Sequence, residues 1–100
     1  MNDYKSKVQS EEMDFLCDAV LTLKDRSECY RFFEDICTIN EIQSLGQRLL
    51  VAKMLKNKKT YQDISKITGA STATISRVNR CLNYGSDGYN IVLERLSNED

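Results

Sequence analysis

Thr60-Tyr61-Gln62-Asp63-Ile64-Ser65-Lys66-Ile67-Thr68-Gly69-Ala70-Ser71-Thr72-Ala73-Thr74-Ile75-Ser76-Arg77-Val78-Asn79-Arg80-Cys81-Leu82 decides how this 100-residue chain folds. It reads as a short helix, a glycine turn and a second helix. Thr60 and Ser71 are N-caps, since each hydroxyl can accept a bond from an otherwise unpaired helical N–H. Ile64 and Ile67 lie three apart on one helical face, and Ile75 and Val78 do the same on the next. With Ala70 they form two inward stripes that must bury each other. Gly69 falls where the first helix stops, the left-handed position that glycine fills at least cost. Ser65, four residues earlier, is small enough for the helices to approach closely. The layout is that of a helix-turn-helix, whose second helix enters the DNA major groove.

An ordinary helical hairpin would share that pattern, and charge separates the two readings. The whole chain has 14 Lys+Arg and 15 Asp+Glu, a net of −1. Residues 48–80 hold Arg48, Lys53, Lys56, Lys58, Lys59, Lys66, Arg77 and Arg80 against Asp63 alone, a net of +7. The remainder carries −8. The basic footprint therefore coincides with the segment where phosphate contacts are needed.

Working outward, the chain reads as one all-α domain of six helices, with the helix-turn-helix at about 60–82. Proline is absent and there are only four glycines, with Gly69, Gly85 and Gly88 in or beside expected turns. Ser10 to Lys24 carries Met13, Leu16, Val20 and Leu23 at helical spacing. Ser27 to Cys37 carries Tyr30, Phe33 and Ile36. Thr38 and Glu41 form a capping box that opens a long helix ending near Lys56. Asn57 to Lys59 breaks it. After the turn at Tyr84–Gly88 a last short helix spans Tyr89 to Leu96, and residues 97–100 are expected to fray.

Hydrophobic content is 41%, enough for a core. Yet Phe15, Leu16, Phe32, Phe33, Ile91 and Leu93 are hard to satisfy within one small subunit. A homodimer would cover these faces and set two reading helices about 34–36 Å apart, one DNA turn.

Several classes of chemistry are disfavoured. No apolar run approaches the ~20 residues of a membrane span, and the polar N-terminus, Met1 to Lys7, lacks a signal core. Cys17, Cys29, Cys37 and Cys81 contain no CxxC pair and histidine is absent, so neither a zinc site nor another metal or cofactor is expected. Reduced thiols in a cytoplasm fit better. Without histidine the usual general base is missing, which argues against an enzyme.

The run Gly69 to Arg77 resembles the glycine turn and recognition helix of the Trp repressor family. Leu45-Gly46-Gln47-Arg48 and the upstream Thr38 resemble the same family, in its YerC/YecD-type branch. The likeness runs from about Phe33 to Asn83. It implies an intertwined dimer with a reading head made of the fourth and fifth helices. It also implies a small-molecule effector site between the third and fifth helices, at Thr38, Arg48 and Arg77. One position departs. Where the family has a glycine that leaves room for the tryptophan ring, this chain has Val78. The pocket is therefore expected to be filled and tryptophan not to bind. Arg48 and Arg77 fit a planar or anionic ligand, or else phosphate contacts or surface ion pairs.

The expected DNA-contacting set is short in side-chain length. Ser71, Thr72, Ala73, Thr74 and Ser76 open the recognition helix, and none can make a bidentate contact to guanine or adenine. Thr72 and Ala73 can pack on a thymine methyl. Thr74 and Ser76 can bond a base edge directly or through water, a mode the resemblance implies because Trp repressor contacts are largely water-mediated. Gln62, Lys56, Lys58, Lys59, Lys66 and Arg80 are expected on phosphates or flanking positions, with Asn79 beside them. Double-stranded DNA is the expected partner, and a transcriptional regulator, as a repressor, the expected function. The alternative is a helical protein-interaction module whose hairpin docks a partner.

Overall fold

The computed structural model describes residues 4–98. Among these residues all regular structure is helical: α1 (Glu11–Leu21), α2 (Arg26–Ile36), α3 (Ile39–Lys56), α4 (Tyr61–Thr68), α5 (Thr72–Tyr84) and α6 (Gly88–Ser97). The chain divides into two compact units, with the boundary between Cys37 and Thr38.

The N-terminal unit is α1 and α2. Ser10 Oγ accepts from Met13 N at 3.0 Å, and Glu11, Glu12 and Asp14 place negative charge at the positive end of the α1 dipole. The second helix starts slightly earlier than its sequence suggests. Asp25 caps it by accepting from Glu28 N, while Glu28 Oε1 accepts from Lys24 N, each at 2.9 Å. Ser27 therefore sits inside the helix rather than at its start. The Phe32 and Phe33 rings lie 5.8 Å apart at 55°, within the range for a tilted aromatic pair. Neither helix has a buried residue. Phe15 is 77% exposed and Leu21 81%.

The C-terminal unit holds the core. Val51, Ala52 and Met54 of α3, Ile64 of α4, Ala70 of the turn, and Ile75 and Val78 of α5 are buried together. Leu55, Leu82, Tyr89 and Leu93 pack around them. Burying an isoleucine or valine contributes about 1.5–3 kcal/mol, so these few side chains fix α3, α4 and α5 in one arrangement. The capping box at α3 forms as expected: Glu41 N donates to Thr38 Oγ1 at 3.2 Å and Thr38 N donates to Glu41 Oε1 at 2.8 Å. Asn90 fastens α6. Its amide nitrogen donates to Leu82 O and Asp87 Oδ1, and its Oδ1 accepts from Lys56 Nζ at 2.8 Å.

One expectation for the apolar stripes needs correction. Ile67 does not join the inward stripe and is 66% exposed. The buried row of α4 follows Ile64 to the half-buried Ser65 and Thr68. A residue three places on from Ile64 is rotated about 60° from it, and in a two-turn helix that rotation carries Ile67 out of the contact.

The turn glycines lie where the sequence places them and serve in different ways. Gly69 is left-handed as expected, with φ 77. Gly85 is not: it has φ −89, and it is needed because a Cβ there would stand 2.5 Å from Cys81 O. Gly88 begins α6. The other left-handed residues are Lys58 (φ 63) and Asp87 (φ 70). At the end of α3, Lys58 N donates to Leu55 O and Lys59 N to Met54 O, both at 3.1 Å, the paired bonds of a Schellman motif. A lysine in that place costs about 1 kcal/mol relative to glycine.

Ser97 belongs to α6, its hydroxyl donating to Glu94 O at 2.9 Å. Glu99 and Asp100 of the expected frayed tail lie outside the described residues, as do Met1 to Asp3.

Candidate nucleic-acid interface

The hairpin is built from nearest-neighbour hydrogen bonds. Thr60 Oγ1 accepts from Asp63 N at 3.1 Å and opens α4. At its end Thr68 Oγ1 donates to Ile64 O at 2.7 Å and accepts from Ala70 N at 3.1 Å. Gly69 N donates to Ser65 O at 2.8 Å. Gln47 Nε2, on α3, donates to Thr68 O at 3.1 Å and ties the turn to the long helix. Ser71 Oγ then accepts from Thr74 N at 3.1 Å and opens α5. Every backbone group at this sharp reversal named here has a partner, so the turn geometry is held on both sides.

With Ile64, Ala70, Ile75 and Val78 facing inward, the opposite flank of α5 is exposed. Ser71, Thr72, Ala73, Ser76, Arg77 and Arg80 lie there. Thr74 is half-buried, and its Oγ1 accepts from Ser71 Oγ at 3.1 Å. That hydroxyl therefore belongs partly to the cap. Lys58, Lys59, Gln62 and Lys66 are exposed on α4 and the turn before it. Lys56 is exposed as well, but its ammonium is engaged with Asn90 and faces α6.

The residues of the expected ligand pocket are placed as follows. Thr38 uses both its hydroxyl and its N–H in the α3 capping box. Arg48 is half-buried on α3 and Arg77 exposed on α5. Val78 is 1% exposed and lies in the core. One cavity of about 400 Å³ opens between α3 and α6, bordered by Lys53, Lys56, Asn57, Leu93 and Glu94 among others. Another of about 540 Å³ is bordered by Leu49, Cys81, Ser86, Gly88, Tyr89 and Val92. Neither is lined by Arg48, Arg77 or Val78.

Cys17 is exposed, while Cys29, Cys37 and Cys81 are half-buried and unpaired. Among the described residues no cluster of Cys, Asp and Glu is placed to hold a metal ion, and no helix is long and apolar enough to cross a membrane. The positioning roles of Gln47 and Asn90 were not read from the sequence. Both bind backbone carbonyls of other elements, contacts that leave no periodic signal.

A capped two-helix hairpin clamped on a long helix, with its outer flank polar and basic, defines an all-α helix-turn-helix protein. The family described as Trp repressor protein matches residues 11–97, and the chain belongs to that family. It is 61% identical over 90 residues to the uncharacterized protein YerC of Bacillus subtilis, covering 90% of this chain and 86% of that protein. A TrpR-like protein from Eubacterium eligens superposes with a TM-score of 0.87 at 62% identity, covering 91% of this chain and 94% of that one. A candidate Trp repressor from Staphylococcus aureus gives the same TM-score, 0.87, at 56% identity, covering 91% of each chain. The family's fold is that of helical regulators rather than of enzymes.

Proposed function

We propose that this protein is a dimeric, sequence-specific DNA-binding regulator of transcription that acts as a repressor in the cytoplasm. One observation carries the reading. The hairpin of α4 and α5 follows the lysine-rich end of α3 in the +7 segment, residues 48–80, and exposes the short polar flank of α5 where a major groove would lie. Ser71, Thr72, Ala73, Thr74 and Ser76 approach the bases, while Lys58, Lys59, Gln62, Lys66 and Arg80 hold phosphates.

The dimer is supported by the apolar surface left uncovered in one chain. Phe15, Leu21, Tyr30 and Ile36 of the N-terminal unit are each more than half exposed, an extent that marks an interaction surface. In that assembly residues 1–100 act as a single DNA-binding domain.

Tryptophan does not control this regulator. Val78 supports this, because its buried side chain fills core space between α3 and α5 next to Arg77. Calorimetry with L-tryptophan is expected to show no binding, and micromolar binding refutes the point.

Selection of bound sequences from a random DNA pool, followed by a salt titration of the winners, tests the function itself. A consensus with steep salt dependence is expected. Retention that bulk DNA competes away equally at every sequence refutes specificity.

A further inference from the structure

The lysines of the basic segment are not equivalent. Lys56 is tied to Asn90 at 2.8 Å. Lys58 is exposed, and among the described residues its ammonium has no hydrogen-bond or ion-pair partner. Its backbone is the unusual one, left-handed at φ 63. The turn demands that conformation, because Lys58 N and Lys59 N must reach Leu55 O and Met54 O. Glycine meets the demand without a steric penalty, and asparagine meets it more easily than lysine does. An asparagine stands one position earlier. Asn57 has φ −88, ordinary backbone that lysine would adopt freely. The order Lys-Asn would give the less strained turn, and the chain has Asn-Lys. The turn's own hydrogen bonds hold this strain, and residues held so cluster at functional positions.

We propose that Lys58 is a dedicated DNA-phosphate contact, rooted by the strained turn two residues before the Thr60 cap of α4. The inference rests on the DNA-binding reading above and sharpens it to one cation. Lys58 anchors the entrance to α4, and Lys56, two residues away, serves α6 instead. A phosphate contact carries no sequence information, so an unidentified operator does not prevent the test.

Three variants, Lys58→Gly, Lys58→Asn and Lys58→Arg, are compared with wild type by thermal unfolding and by fluorescence anisotropy on a mixed-sequence DNA duplex across a salt series. Lys58→Gly is expected to raise Tm by roughly 4–8 °C. It should also weaken DNA binding and flatten the plot of log K against log salt by about 0.9 for each copy bound. Lys58→Asn should lose the same slope, and Lys58→Arg should keep it. A glycine variant that is more stable yet binds with wild-type slope and affinity overturns the proposal. So does one that gains no stability, since the turn would then carry no strain. If the wild-type protein shows no salt-dependent DNA binding, the functional reading falls as well. The Tm comparison, made without DNA, tells that failure from the others.

Discussion

Val78→Ala and Ile67→Ala separate this structure from the simpler hairpin that the sequence pattern describes. Both residues belong to the apolar stripes, and a reading by spacing weights them equally. In the structure Val78 is 1% exposed and Ile67 66%. Truncating Val78 removes two buried carbons, worth about 1.6 kcal/mol at ~0.8 kcal/mol each. The site is walled by other core side chains from α3, α4 and α5 and cannot collapse fully. A residual cavity of roughly 40 Å³ at ~24 cal/mol per Å³ adds about 1 kcal/mol. The expected loss is about 2.5 kcal/mol, a fall in Tm of roughly 10–20 °C. Ile67→Ala should change stability by no more than about 0.5 kcal/mol. Urea unfolding followed by far-ultraviolet circular dichroism, at one fixed protein concentration, measures both. Equal losses at the two positions, or a loss below about 1 kcal/mol at Val78, would refute the packing described for the α4–α5 hairpin.

Further outcomes follow from the same geometry. Gly85→Ala should destabilise markedly, because its Cβ would meet Cys81 O at 2.5 Å and helix α5 would have to shift. An unchanged urea midpoint would contradict that close approach. Light scattering at micromolar concentration should return twice the 11.5 kDa chain mass. Replacing Phe15 and Leu21 together by glutamate should reduce it to one, and a monomeric wild type would sink the dimer. Thr74→Ala should alter sequence preference in a pool selection more than overall affinity, with a small stability loss because Thr74 Oγ1 also accepts from Ser71. An identical selected consensus would remove Thr74 from the readout.

Much of the fold was legible because its signals are local. Ser10, Thr38, Thr60 and Ser71 cap helices through bonds to residues three positions away, and a motif of that length can be read directly. Gly69 was legible for the same reason. The left-handed Lys58 was not, since lysine does not advertise that conformation; Asp87 is of a type that tolerates it, but nothing local marks which residue of the 84–88 turn adopts it. Ile67 was misjudged because two helical turns do not fix which of two faces meets a neighbour. In the candidate site, spacing located the hairpin and charge marked its surroundings as basic. They could not distinguish Lys56, which the distant Asn90 engages, from Lys58, which is unpartnered among the described residues.

Among the described residues the buried cluster of the C-terminal unit runs from Val51 to Val78, through two short turns. Its contacts join neighbours in the chain, so closing them costs little loop entropy and proceeds quickly. The α4–α5 hairpin can thus acquire its shape on a first-order timescale, indifferent to how many other copies are present. Any step that covers Phe15 and Leu21 with a second chain is second-order and slows as the protein is diluted. Scarcity would therefore limit assembly without leaving the hairpin unformed, and the cell's dose of this protein would govern how many chains have Phe15 and Leu21 covered.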